Sequence, residues 1–252
     1  MATLLATVAL LSGCAQAGPS GNSTQRPRSS VHKTTVAEIQ TKDAVYTDGD
    51  SMTVTGLTGI TKGDGLIAAV FAVSGGPGAT FPTVTNVTGG GVTFSEAATY
   101  QLRPYAALYT LEIWVGTNSS GGQTTVTADL GGTLGDGALF VGEFSGLALT
   151  PFDTSARSFG TTPVTTYTTP PLTPSSPGEV IWAVGRWPNT MGTNSTSPWS
   201  GMVSGNDHSL VSLYTVSRDA TGLSAEQGSW TNNGDPADEV TLVAGFKTSA
   251  HG

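Results

Sequence analysis

Residues 138–156 read ALFVGEFSGLALTPFDTSA. Up to Phe144 the run is that of a buried strand, with Leu139 and Val141 pointing to one side and Ala138, Phe140 and Phe144 to the other. Gly146 breaks the run. Pro151 has no backbone N–H and forbids an ordinary central-strand continuation beyond it. The stretch is therefore expected to supply a middle strand against which other β-runs pair.

Similar runs recur on both sides of it. Leu66–Val73 (LIAAVFAV) is apolar on both faces, the mark of a strand covered from both sides. Leu108–Val115 reads as half-buried, with Tyr109, Leu111, Ile113 and Val115 on one face and Thr110 and Glu112 on the other. Val126, Ala128 and Leu130 alternate inward, as do Val180, Trp182 and Val184, and then Val240, Leu242, Ala244 and Phe246. Ser51–Thr55, Leu210–Ser217 and Gln227–Thr231 are further short strands. Gly89-Gly90-Gly91, between Thr83–Thr88 and Val92–Ala97, predicts a hairpin. The Thr/Pro-rich run from Ala156 to Pro177 predicts a long connection with one edge strand, as in a Greek-key crossover.

Composition agrees with this pattern. The 252 residues include 34 glycines and only 11% charged side chains, which suits short strands joined by turns and not long helices. With 37% hydrophobic residues in regular patterns, disorder is a poor reading of the chain. The expectation is an all-β fold, a two-sheet antiparallel β-sandwich of jelly-roll or Greek-key type, formed as one domain over residues 36–250. The formal net charge is −8, and Lys42, Lys62, Arg103, Arg157, Arg186, Arg218 and Lys247 are scattered. No basic stripe is present to neutralise a run of phosphates, so nucleic acid is not an expected partner.

Ahead of the domain, Thr3–Leu11 is an apolar run of signal-peptide length, too short to span a bilayer. Leu11-Ser12-Gly13-Cys14 follows, holding the only cysteine of the chain. This tetrapeptide resembles the lipobox of bacterial lipoproteins. The resemblance implies a signal peptide over residues 1–14, cleavage before Cys14, and attachment of diacylglycerol to its thiol. Residues 15–35, rich in Gly, Ser, Pro and Thr, then form a flexible tether. It implies export, a membrane partner through the N-terminal lipid, and a place on the extracellular face of a bacterial membrane. Met1-Ala2-Thr3 carries no cation where a signal peptide opens on Lys or Arg. The alternative is an apolar N-terminal segment with an inert core cysteine.

The order of elements is also similar to a β-sandwich module of secreted bacterial surface proteins and phage tail proteins. Lys62-Gly63-Asp64-Gly65 before a buried strand carries the resemblance, with Leu108–Val115, Glu143–Leu147 ahead of Phe152-Asp153, and Val240–Lys247. It implies fold and display outside the cell, and it brings no catalytic residues.

The search for chemistry is sparse. Of three histidines, His32 lies in the tether and His251 near the last residue, leaving His208 as the one candidate base. Glu112 and Glu143 are the acids a polysaccharide-active enzyme would need in pairs. They are expected instead on a solvent-facing sheet surface. Asp43, Asp48 and Asp50 precede the first strand, and Asp235, Asp238 and Glu239 the last. Adjacent first and last strands would bring these oxygens together for a structural calcium. Asp/Gly turns without metal are the expected reading, and no cofactor is required. Trp187, Asn189 and Trp199 flank a polar loop and are glycan-binding candidates, by stacking on sugar faces and hydrogen bonding to hydroxyls. Trp182 and Trp230 are expected in the core. The leading expectation is a non-catalytic, lipid-anchored surface protein for adhesion or for binding a glycan or surface protein. A phage virion component, packing against virion subunits, is the alternative.

Overall fold

A computed structural model describes residues 36–75, 78–103, 107–164, 166–186, 200–204, 210–216, 224–231 and 237–249. The strands are β1 (Ala37–Tyr46), β2 (Gly49–Val54), β3 (Gly65–Gly75), β4 (Val84–Gly89), β5 (Phe94–Leu102), β6 (Ala107–Gly116), β7 (Val126–Leu134) and β8 (Asp136–Ser145). After them come β9 (Leu147–Val164), β10 (Thr166–Thr168), β11 (Val180–Arg186), β12 (Ser200–Ser204), β13 (Leu210–Val216), β14 (Ser229–Thr231) and β15 (Ala237–Thr248). No helix occurs among the described residues, and every strand pair is antiparallel.

The all-β, antiparallel, sandwich-type expectation holds, and the stacking extends to a third layer. The middle sheet has the order β1-β8-β3-β6-β5. One face packs on the sheet β12-β13-β11-β15-β9, the other on the three-stranded sheet β2-β7-β4. Strict alternation along β3 and β8 explains how one sheet serves two cores. Ile67, Ala69, Phe71, Ala138, Phe140 and Phe144 fill the first core with Trp182, Leu242 and Phe246. Leu66, Ala68, Val70, Leu139 and Val141 fill the second with Met52, Val54, Val126 and Ala128. Each fully buried large apolar side chain contributes about 1.5–3 kcal/mol. Trp182 is fully buried, as expected, and meets Phe144 edge-on at 5.8 Å. Gly142 makes room for it, because a Cβ there would lie 2.4 Å from the indole.

Several details differ from the sequence reading. β8 is flanked on both sides, by β1 and β3, but β3 holds the centre of its sheet. β6 is buried on both faces rather than half-buried, because the third layer covers Thr110 and Glu112. The predicted Gly89–Gly91 hairpin is instead a corner between layers, since β4 and β5 belong to different sheets. All three glycines have positive φ, and a Cβ on Gly90 would fall 2.0 Å from the Leu66 side chain. The chain does not become a connection at Ala156, because β9 continues to Val164 as the edge strand beside β15. Pro151 is tolerated there because an edge strand has one side without ladder bonds. β1 was not singled out in the sequence; its alternation is interrupted by a bulge between Glu38 and Gln40, which leaves Ile39 49% exposed.

Candidate functional site

Four acids are buried among the described residues: Asp64, Glu112, Glu143 and Glu179. The solvent-facing expectation for Glu112 and Glu143 is therefore corrected. They do share one face of the middle sheet, but that face is roofed by the three-stranded sheet. Glu112 stands opposite Val70 and Glu143 opposite Leu66, on the two flanks of β3. With strands about 4.8 Å apart and about 3.4 Å per residue, their Cα atoms lie about 17 Å apart. Two-carboxylate glycoside hydrolysis needs carboxyl groups within about 5–9.5 Å. The Cα separation exceeds that span, and the two carboxyls are turned to different donors.

Each acid instead binds local donors. Glu143 accepts the Thr61 N–H at 2.7 Å and the Gln40 side-chain amide. The Gln40 carbonyl accepts the Thr58 N–H at 2.8 Å, so one chain of bonds ties β1, the 57–64 loop and β8. Asp64 closes this cluster. Burial pushes its carboxyl above the usual range, and the charge of Glu143 and a hydrogen bond to it push the same way. Glu112 accepts the Trp114 indole N–H at 2.8 Å and the Val84 N–H at 3.3 Å. Burial raises its pKa to about 7; those two bonds oppose the rise and the charge of Glu96 adds to it.

The third cluster joins the two strands at the sandwich edge. Lys247 of β15 places Nζ 2.9 Å from Asp153 Oδ1 on β9. The Ser175 N–H donates to Asp153 Oδ2 at 2.9 Å, and its hydroxyl donates to Oδ1 at 2.6 Å. The same hydroxyl lies 3.3 Å from Glu179 Oε1, which also accepts the Ser176 N–H and hydroxyl at 2.9 and 2.8 Å. Burial pushes the Asp153 carboxyl up, but the Ser175 and Lys247 bonds outweigh it and hold it below its ordinary value. The bond to Asp153 raises Lys247. Glu179 is raised by burial first and by the Asp153 charge, against the Ser176 bonds. Its second oxygen, Oε2, is buried without a hydrogen-bond partner.

This cluster was missed in the sequence. Ser176-Pro177-Gly178-Glu179 has the Ser-x-x-Glu spacing in which a carboxylate reaches back to the serine N–H, and that signal was available. Nothing in the sequence placed Lys247 beside Asp153, because that contact depends on the β9–β15 register.

The structure does not bring the calcium candidates together through paired first and last strands. β1 lies at the edge of the middle sheet and β15 lies between β11 and β9 in another. Asp43 stands opposite Phe140, and Asp48 accepts the Gly49 N–H at 2.8 Å in its own turn. Asp238 lies on β15, and Asp235 is outside the described residues. Also outside them are Cys14, the tether with His32, the glycan candidates Trp187, Asn189 and Trp199, and both His208 and His251. Trp230 lies on β14, opposite Tyr167 of β10.

The apolar surface is concentrated on one strand. Of the four large hydrophobic side chains exposed among the described residues, Leu149 (77%), Phe152 and Phe159 belong to β9, and the fourth is Ile39 of β1. No other described strand pairs with the far side of β9. Comparison of the chain with protein families, curated proteins and solved structures finds no match.

Proposed function

We propose that this chain is an exported β-sandwich that works by contact: a surface-displayed adhesion or ligand-binding body, held at the membrane by a lipid on Cys14. The observation that carries the binding reading is β9, an edge strand that presents Leu149, Phe152 and Phe159 to solvent. An open edge with apolar side chains favours pairing with another chain, and proteins that do not use such an edge usually blunt it with charge. The buried acids support the same reading, because Glu112 and Glu143 spend both oxygens on the donors of nearby strands and loops. Glycans are a second ligand class, through Trp187, Asn189 and Trp199.

Two measurements test this. Metabolic labelling with a palmitate analogue should mark the native protein, and Cys14→Ala should abolish the label; label retained in that variant refutes the anchor. Leu149→Ser, at a side chain 77% exposed, should reduce attachment of the purified body to its target surface while leaving the fold intact. Unchanged attachment refutes β9 as the contact strand.

The open edge of β9 also favours the second reading, a virion component whose sheet continues into a neighbouring subunit. Finding intact Met1–Cys14 in mature particles by mass spectrometry would decide for it over the lipoprotein.

A further inference from the structure

We infer that the three-stranded sheet is a hinged cover on the middle sheet, clipped down on both flanks of β3 by the buried carboxyls of Glu112 and Glu143, and that the Glu112 clip loosens when this group loses its proton. Among the described residues no ladder joins β2, β4 or β7 to a strand of the middle sheet. The cover packs on a core of its own, with Met52, Val54, Val126 and Ala128 against Leu66, Val70 and Val141, and that core shares no residue with the one on the opposite face. A layer with a separate core and no shared ladder has the anatomy of a unit that opens before the rest of the molecule.

The hinge lies in the pairings. β1 pairs with β8 as far as Tyr46 and Gly137, and β2 pairs with β7 from Gly49 and Leu134 onward. The two ladders are therefore one two-stranded ribbon, bent over at Thr47-Asp48 on one strand and at Gly135 on the other. Gly49 adopts the positive φ of 125° that the bend requires. The Gly135 N–H donates to the Val73 carbonyl at 2.8 Å, which fixes the corner to the end of β3.

Two buried acids of the middle sheet hold the cover beyond this corner. On one flank of β3, Glu112 takes the Val84 N–H at the start of β4, at 3.3 Å. On the other, Glu143 takes the Thr61 N–H at 2.7 Å. The loop that carries Thr61 is bonded in turn to the chain entering β7: the Leu57 N–H donates to the Thr124 carbonyl at 3.2 Å and the Ile60 N–H to the Gln123 carbonyl at 2.9 Å. Glu112 is the clip that titrates near neutrality, since burial raises its pKa to about 7. Glu96 of β5 is the titratable group among the described residues whose charge acts on it, and across the ladders it faces Val70 of β3 and Thr99 of β5. Lifting the cover returns the carboxyl to water and to its ordinary value near 4.5. The raised value belongs to the closed form, so closure is fullest below pH 4.5 and weakens as pH rises through 7. Asp64, raised by burial and then by the charge of Glu143, acts in the same sense at the other clip. The hinge and its clips are separate from β9, from Cys14 and from any ligand.

Hydrogen exchange of the full chain tests this, read by mass spectrometry on peptides of each strand at pH 4.5, 6 and 8 and corrected for the pH dependence of intrinsic exchange. Peptides of β2, β4 and β7 should be at least tenfold less protected than those of β11 and β15 at every pH. Their opening constant should rise about 100-fold from pH 4.5 to pH 8, the factor set by a closed-form value of about 7 against 4.5 in the open form. Glu112→Gln should remove most of that rise and leave the order of protection among the strands unchanged. Protection of β2, β4 and β7 within tenfold of that of β11 and β15 overturns the hinged cover, even where Glu112→Gln gains global stability at alkaline pH. A rise below tenfold in the wild type, or the full rise in Glu112→Gln, overturns the proton-linked clip.

Discussion

Glu112→Gln should make the protein more stable at alkaline pH and leave it unchanged in acid. The folded-state pKa of Glu112 is about 7, against an ordinary 4.5. Below about pH 4.5 the group is protonated in both states and stability does not depend on it. Between there and pH 7 the unfolded chain gives up the proton while the folded chain keeps it, so stability falls as pH rises. Above pH 7 the folded protein carries the ion at full cost. At about 1.4 kcal/mol per pKa unit, the gap amounts to about 3 kcal/mol. The titratable group facing Glu112 from a neighbouring strand is Glu96 on β5, and its charge adds to the shift. The glutamine amide resembles the protonated acid, offering one acceptor oxygen and one donor group, so it should match the wild type at pH 4.5. At pH 8.5 it should exceed it by up to about 3 kcal/mol, or about 6–12 °C in Tm for a domain of this size. Urea unfolding followed by tryptophan fluorescence at pH 4.5, 6, 7.5 and 8.5 measures this. Parallel pH profiles for the two proteins, or a variant less stable at pH 8.5, would refute the account of Glu112 as a buried, neutral-leaning acid.

Three further outcomes are expected. Gly142→Ala should cost at least about 1–3 kcal/mol, read as a lower urea midpoint, because the new methyl meets the Trp182 ring at 2.4 Å. Asp64→Asn offers a donor towards Glu143 and removes an ionisation that burial opposes; since the Asp64 pKa is raised, stability is lost as pH rises through it, and the variant's thermal midpoint should fall less than that of the wild type as pH rises from the acid range. Leu149→Ser, at a side chain 77% exposed, should leave stability within about 0.5 kcal/mol by urea unfolding.

What was legible in the sequence is what period-2 alternation controls. Leu66–Val73 announced cover on both faces, and the structure provides it with two different sheets. Alternation also placed Val180, Trp182 and Val184 on one face of their strand, and Val240, Leu242, Ala244 and Phe246 on one face of theirs; the pairing of the two strands puts both sets on the same face of one sheet. It does not reveal which layer covers a face. For that reason Thr110 and Glu112 read as solvent residues, although a third sheet buries them. Register was equally hidden. Glu112 and Glu143 sit on the same face, but only the pairings with β3 show that they lie about 17 Å apart by strand geometry. The Gly89–Gly91 run carried a real signal, positive φ at three successive residues, yet that signal does not separate a hairpin from a corner between sheets. Asp153, Lys247 and Glu179 lie far apart in the chain, and only the fold makes them neighbours.

The three-layer arrangement also constrains where contact with another molecule takes place. The inner strands of the middle sheet are covered on both faces, so Glu112 and Glu143 act within the protein, while its edge strands β1 and β5 keep exposed residues. The three-stranded sheet turns Thr53 and Thr127 outward, with their hydroxyls 2.9 Å apart, and these side chains satisfy one another as well as water. β9 differs from both. It begins under the end of the middle sheet, where the Thr117 hydroxyl donates to the Leu149 carbonyl, and then runs out along the edge of the other outer sheet. Arg157 stacks on Tyr100 of β5 at 4.8 Å, so even the one cation along this strand is turned to an aromatic ring of the middle sheet. An edge strand whose positive charge is held this way, and whose negative charge at Asp153 is taken up by Lys247, keeps little electrostatic protection against pairing. The same contacts that neutralise β9 therefore leave Leu149, with the half-exposed rings of Phe152 and Phe159, as the apolar chemistry of this edge.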